Sequence, residues 1–112
     1  MKTEEFEELF EGQLQLCRYK LIDKAREYAS DQDRLHNFKI ASALENTSVK
    51  QALAGMMAKH TISVYDMCKS ENDYTLDIWI EKITDHLNYL FLLRAIVQEG
   101  AQDYAQENHH LH

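Results

Sequence analysis

Hydrophobic residues recur every three or four positions over most of this chain, which is the repeat of amphipathic α-helices. The first such run extends from about Thr3 to Tyr28, and Thr3 is its predicted N-cap. The polar stretch SDQDR, residues 30–34, then interrupts the repeat. A shorter helix is predicted from about Leu35 to Leu44, with Leu44 among its inward-facing residues.

Two further helices are predicted in the second half of the chain. The first covers about residues 49–69, and either Thr47 or Ser48 caps it. The second begins after Thr75, which is its predicted N-cap, and ends near Gly100. The polar stretch SENDY separates the two helices.

No segment keeps the alternation of polar and apolar residues that marks a β-strand. The absence of proline and the presence of only three glycines also favour long helices. The sequence therefore predicts an all-α fold, a helical bundle of three long helices and one short helix. A single domain would cover residues 1–100, and residues 101–112 would form a polar, flexible C-terminal tail.

The last helix is apolar around most of its circumference. Ile83, Leu87, Leu90 and Val97 form one stripe that is predicted to face inward. Other apolar side chains cover much of the remaining surface: Ile78, Trp79, Ile80, Phe91, Leu92 and Leu93. Such a helix is buried on several sides, within its own bundle or against a second subunit. We therefore expect a homodimer or a higher homo-oligomer.

Charge and composition narrow the class of protein. The formal net charge of −7 argues against direct binding of duplex DNA, which normally requires a basic face. The N-terminal sequence is acidic, so no signal peptide is expected, and no apolar run approaches the ~20 residues of a membrane span. Cys17 and Cys68 lack the spacing of a disulfide framework. A cytoplasmic protein without membrane contact is the predicted class.

Three polar residues are out of place on the last helix. Glu81, Asp85 and Asn88 follow one another at about one helical turn and form a stripe on an otherwise apolar helix. They would lie in a groove between helices, where buried carboxylates need a cation. Mg²⁺ fits, because it binds oxygen ligands and uses one or two carboxylates together with substrate phosphates. An exposed stripe beside Lys82 and Arg94 explains the same pattern.

Two other stretches carry candidate chemistry. His60 lies on the apolar seam of the third helix, beside Lys59, and is either a core histidine or a phosphate or water ligand. The stretch KAREYASDQDRLHNFK, residues 24–39, is either a solvated turn or an anion site, because Asn37 begins the short helix. Its ionisable and amide residues include Lys24, Glu27, Asp31, Asp33, Arg34, His36, Asn37 and Lys39.

The segments KAREYA, MMAKHTISVYDM and EKITDHLNYL together resemble a nucleotide-modification-associated domain of phages, a relative of the MazG-like all-α nucleoside triphosphate pyrophosphohydrolases. The likeness covers roughly residues 20–97. It rests on a lysine, an acid and a tyrosine ending the first helix, a lysine within the third, and an acid, an aspartate and Asn-Tyr on the last. The matching residues are Lys24, Glu27 and Tyr28, then Lys59, and finally Glu81, Asp85, Asn88 and Tyr89.

The resemblance implies Mg²⁺-dependent chemistry on a deoxynucleotide or a modified nucleotide, in the leading hypothesis hydrolysis that releases pyrophosphate. Glu27, Glu81 and Asp85 would bind the metal, and Glu81 and Asp85 would take part in catalysis together with Lys59. The substrate-binding residues would be Lys24, Tyr28, Arg34, Asn37, Lys39, His60 and Asn88. The chain departs from the MazG-type pattern, because Glu-x-x-x-Asp replaces Glu-x-x-Asp. Two other functions fit the same residues: a nucleotide-sequestering, anti-defence phage protein without catalysis, and a structural helical interaction module.

Overall fold

Helices and the short turns between them make up the described part of the chain. The computed structural model describes the backbone of residues 1–26 and 33–110, and the side chains of residues 1–25 and 33–107. No β-strand occurs within these ranges, which confirms the predicted all-α class for them. The elements are α1 (Thr3–Arg18), a π-helical turn (Tyr19–Asp23), α2 (Lys24–Arg26), α3 (His36–Glu45), α4 (Val49–Lys69) and α5 (Leu76–His110).

Local capping chemistry sets several helix ends. Ser48 caps α4 in a capping box: its side chain accepts a hydrogen bond from the Gln51 backbone N–H at 3.1 Å, and the Gln51 side chain accepts one from the Ser48 N–H at 3.2 Å. Thr75 caps α5, because its Oγ1 accepts from the Ile78 N–H at 3.3 Å, as predicted. The predicted cap at Thr3 is wrong: α1 begins at Thr3, and no side chain caps it.

The core lies where α3, α4 and α5 meet. Leu35, Phe38, Leu53 and Ile96 form its buried cluster. The α4 seam predicted from the sequence packs against this cluster through Met56 and its neighbours. Leu44 is exposed, contrary to the prediction, because α3 is short and ends one residue later, beyond the core.

The first helix joins the bundle only through its C-terminal half. Gln13 contacts Thr84 of α5, and Cys17 is buried, whereas every residue from 1 to 12 is exposed. α1 and α4 cover two faces of α5. A third face of α5, carrying Ile83 and Leu90, stays open in the single chain. The prediction that this stripe faces inward is therefore wrong for one chain by itself.

The last helix continues to His110, ten residues beyond the predicted end at Gly100. A single glycine costs a helix only ~1 kcal/mol, and no proline follows it. The Cα radius of gyration is 17.4 Å, whereas a compact chain of this length would have about 13 Å. Among the described residues, no helix combines the length and apolarity needed to cross a membrane.

Candidate functional site

A cluster of polar side chains lies where α1 meets α5. We call Gln13, Lys20, Thr84, Asp85 and Asn88 the α1–α5 polar cluster. Gln13 lies on α1, and Lys20 lies on the π-helical turn that continues it. The other three residues lie on one face of α5, within about one turn. Lys20 belongs to the π-helical turn, a local widening that often occurs at functional sites.

Thr84 is the fully satisfied member of the cluster. Its hydroxyl accepts a hydrogen bond from Gln13 Nε2 at 2.8 Å and donates to the Ile80 carbonyl at 2.6 Å. The residue is 1% exposed, so these two bonds supply the partners that a buried hydroxyl requires. Thr84 therefore fixes how α1 packs on α5. Its buried hydroxyl is not accessible to a ligand.

Asp85 is paired with a cation. Lys20 Nζ lies 3.4 Å from Asp85 Oδ1, and the two side chains are 37% and 33% exposed. A pair this accessible contributes about 0–1 kcal/mol. The contact is long and weak enough for either group to exchange its partner for a phosphate or a cation.

Asn88 is the unsatisfied member. It is 8% exposed, and no donor within the described residues reaches its Oδ1. A buried polar atom without a partner costs about 1–3 kcal/mol. Such an atom usually has a role or a partner from outside the chain, such as water, a cation or a ligand.

The other carboxylate of the predicted stripe has a different environment. Glu81 is exposed, and the described residues supply no cation within salt-bridge distance. The structure thus buries Asn88, leaves Asp85 partly exposed and leaves Glu81 in solvent. The predicted burial of all three residues in one groove does not extend to Glu81.

Aromatic and polar side chains also meet where α4 packs against α5. The ring of His60 packs against Tyr89, with centroids 4.8 Å apart and planes tilted by 40°. Thr61 Oγ1 and His86 Nε2 lie 3.0 Å apart on the same helix pair. His60 is half-buried, and Tyr89 follows Asn88 along α5 but points about 100° away from it around the helix axis, so the ring pair lies on the α4 side of α5.

Other predicted residues lie elsewhere. Lys59 is exposed in a groove that it shares with Lys82. Lys24 and Asn37 are exposed, and Arg34 is exposed and donates a hydrogen bond to the Leu21 carbonyl at 3.4 Å. The Glu27 and Tyr28 predictions fall outside the described residues, as does Asp31.

Lys39 is engaged at the far end of α5. Its ammonium group pairs with Asp33 and lies 2.6 Å from Glu99 Oε1. The hydrogen bond to Asp33, then that to Glu99, raises the pKa of Lys39 above its usual value. The same bond, with a second from the Leu35 backbone N–H, lowers the pKa of Asp33. Glu99 is about 20 Å along the helix from Asp85, so the structure does not bring Lys39 to the polar cluster.

The oxygen atoms of the cluster can be set against the ligands that Mg²⁺ requires. Over residues 1–25 and 33–107, no three His, Cys, Asp or Glu side chains gather as a metal site would require. Mg²⁺ needs fewer protein ligands when it arrives with phosphates, because it then uses one or two carboxylates. The Asp85 carboxylate and the free Asn88 carbonyl oxygen fit that smaller requirement.

Sequence reasoning missed Lys20 and Gln13. Both lie on one face of the first helical segment, on which Gln13, Cys17, Lys20 and Lys24 follow one another every three or four residues. That face has the spacing of the acidic stripe on α5, and comparing the two could have suggested the pairing.

Comparison of this chain with protein-family models, with curated proteins and with solved structures finds no match.

Proposed function

We propose that this chain binds a deoxynucleotide at the α1–α5 polar cluster and hydrolyses it with Mg²⁺ to the monophosphate and pyrophosphate, as a phage protein of the resembling type would. The observation that carries the proposal is the buried, unpartnered Oδ1 of Asn88 beside the loosely paired Asp85. A partly exposed carboxylate and a free carbonyl oxygen on one helix face are suited to an Mg²⁺–phosphate group.

The chain's own residues would take complementary roles. Asp85 and Asn88 would hold the metal, with Glu81 and Glu27 as the further carboxylates that the resemblance implies. The bound metal would neutralise phosphate charge and activate a water molecule. Lys20, released from Asp85, would contact phosphate oxygens. These roles need only side-chain movement at a contact that is already weak.

The ring pair of His60 and Tyr89 supports recognition of the nucleoside. Tyr89 is the residue after Asn88 on α5, and bases stack on aromatic side chains with ~1–3 kcal/mol each. A base held there would place its phosphates toward the α1 side of α5, where Lys20 lies. The more distant cations Lys24 and Arg34 remain candidates for the outer phosphate, whereas Lys59 lies in a different groove, beside Lys82.

Release of pyrophosphate from each deoxynucleoside triphosphate, with and without Mg²⁺, tests the activity. Asp85→Asn removes the carboxylate charge and should lower the rate by about 10²-fold or more. Asp73→Asn, at an exposed position before α5, is the matched control and should leave the rate unchanged. Equal rates for the two variants, or no Mg²⁺-dependent release by the wild-type chain, would rule out hydrolysis at this cluster.

A second function, nucleotide sequestration without turnover, is favoured by the pairing of Asp85 with Lys20 and by the exposure of Glu81. Both features leave few carboxylates free for a metal. Sequestration predicts saturable nucleotide binding with no pyrophosphate released. A purely structural module predicts neither binding nor release.

Self-association belongs to the same proposal. The open α5 face with Ile83 and Leu90 is an apolar stripe of the kind that subunit interfaces cover. A homodimer or higher homo-oligomer would bury it.

A further inference from the structure

The N-terminal end of α1 projects from the bundle. We call residues 3–12 the arm: they are helical, yet all are exposed. Phe6, Leu9 and Phe10 are 57%, 53% and 49% exposed. An isolated helix of this length is marginal in water, because most helical stability in proteins comes from packing an apolar face. The arm therefore needs a surface on which to pack.

The chain exposes more surface than a compact monomer of its mass. The accessible area is 9041 Å², whereas a folded monomer of this mass would expose about 6,400 Å². The exposed end of α5 accounts for part of the excess of about 2,600 Å². A stable interface removes about 800 Å² from each partner. The excess over the whole chain is thus larger than one partner's share of a stable interface.

The charge of the arm limits what can cover it. Five glutamates surround its apolar residues: Glu4, Glu5, Glu7, Glu8 and Glu11. Two arms packed side by side would bring two such sets together, and like charges on neighbouring helices are destabilising. A complementary surface must therefore be apolar and carry cations.

One surface of the same chain has both properties. A groove of about 450 Å³ lies between α4 and the start of α5. Ile62 and Ile78, 59% and 40% exposed, line it together with Met67 and Tyr74. Lys59 and Lys82 line it too, and Asp66 is its one acid. We call it the lysine groove.

We propose that the arm of one copy docks in the lysine groove of a second copy. Phe6 and Phe10 would cover Ile62 and Ile78, and the glutamates would face the lysines. Each chain carries one arm and one groove, so a twofold dimer fills both contacts at once. This inference does not depend on nucleotide binding.

Sedimentation equilibrium of the full chain tests the apolar half of the contact. Phe6→Ser with Phe10→Ser should weaken the dimer by at least about tenfold, because two apolar anchors are lost. Both residues are exposed, so the fold should be retained, and circular dichroism checks this. Leu44→Ser, at another exposed apolar position, is the control and should leave the dimer intact. A wild-type monomer, or a dimer unaffected by the Phe changes, would overturn the proposal.

Charge exchange tests the choice of partner surface. Lys82→Glu in one chain, and Glu7→Lys with Glu8→Lys in another, should each weaken self-association. Mixing the two chains should restore a heterodimer, because the unchanged acidic arm of the Lys82→Glu chain meets the unchanged lysine groove of the other chain. Raising NaCl from about 50 mM to about 500 mM should weaken the wild-type dimer. Failure of the mixture to associate would refute docking in the lysine groove. A Lys82→Glu chain that dimerises as the wild type does, or a dimer that salt strengthens, would also refute it and would point to arm-against-arm packing.

Discussion

At the scale of single residues, two buried polar side chains one turn apart on α5 have opposite situations. Thr84 has both of its hydrogen bonds, whereas Asn88 lacks a donor for its Oδ1 among the described residues. Burial of an unpaired polar atom costs free energy, so the Asn88 oxygen is a candidate position for a partner from outside the chain. In the proposed function, that partner is the Mg²⁺–phosphate group.

Substitutions at Asn88 and at Thr84 should have opposite effects on the free energy of unfolding, measured without ligand. Asn88→Leu removes an unpaired acceptor with little change in volume, so stability should stay level or rise by ~1 kcal/mol. Thr84→Val removes two satisfied bonds and should lower stability by ~1 kcal/mol. Urea unfolding measures both. A large loss of stability in the Asn88 variant would mean that the amide already has a partner within the chain.

The sequence could identify Asp85 and Asn88 as unusual, because their spacing put them on a helix face among apolar residues. It could not identify Lys20 as the partner of Asp85. Lys20 and Asp85 are 65 positions apart in the sequence. Their pairing depends on how the two helices cross, which no local pattern encodes. Nor could it tell that Glu81, on the same stripe, faces solvent.

At the scale of elements, Lys39 joins three segments. It lies on α3 and pairs with Asp33, before that helix, and with Glu99 on α5. The lowered pKa of Asp33 adds stability above its ordinary value of 3.8, and this is lost on acidification. The raised pKa of Lys39 adds stability below its ordinary value of 10.5, and this is lost as the pH rises through the higher folded value.

Lys39→Met should therefore lower the melting temperature in the neutral range, by a small amount because these groups are exposed. The difference from the wild-type chain should shrink as the pH falls below about 3.8 and as it rises well above about 10.5. Lys2→Met, at an exposed terminal lysine, is the control. A difference that stayed constant with pH would show that the side chain acts through packing and not through charge.

Element boundaries were predictable where short-range chemistry sets them. The bounds of α4 match because a capping box begins it and the polar SENDY stretch follows it. The end of α5 was not predictable from Gly100, since one weak breaker does not stop a helix whose neighbours all favour it. The π-helical turn also left no periodic signal, because it adds only part of a turn within a continuous rod.

At the scale of the whole molecule, the all-α class followed from periodicity and the lack of breakers. The packing did not. A helix apolar all round shows that several faces need partners, but it does not show which partner covers which face. α5 uses two faces within its own chain and leaves a third, with Ile83 and Leu90, uncovered. The exposed arm of α1 leads to the same conclusion: one chain does not bury all of its apolar surface.

Titration calorimetry of deoxynucleoside triphosphates into the wild-type and Asn88→Leu proteins, with Mg²⁺ present, tests the central claim most directly. We expect saturable binding at one site per chain in the wild-type protein. We expect at least about tenfold weaker binding in the variant, which loses one oxygen ligand while keeping its fold. Equal affinity in the two proteins, or no heat of binding with any deoxynucleotide, would contradict the assignment of the nucleotide site to this cluster.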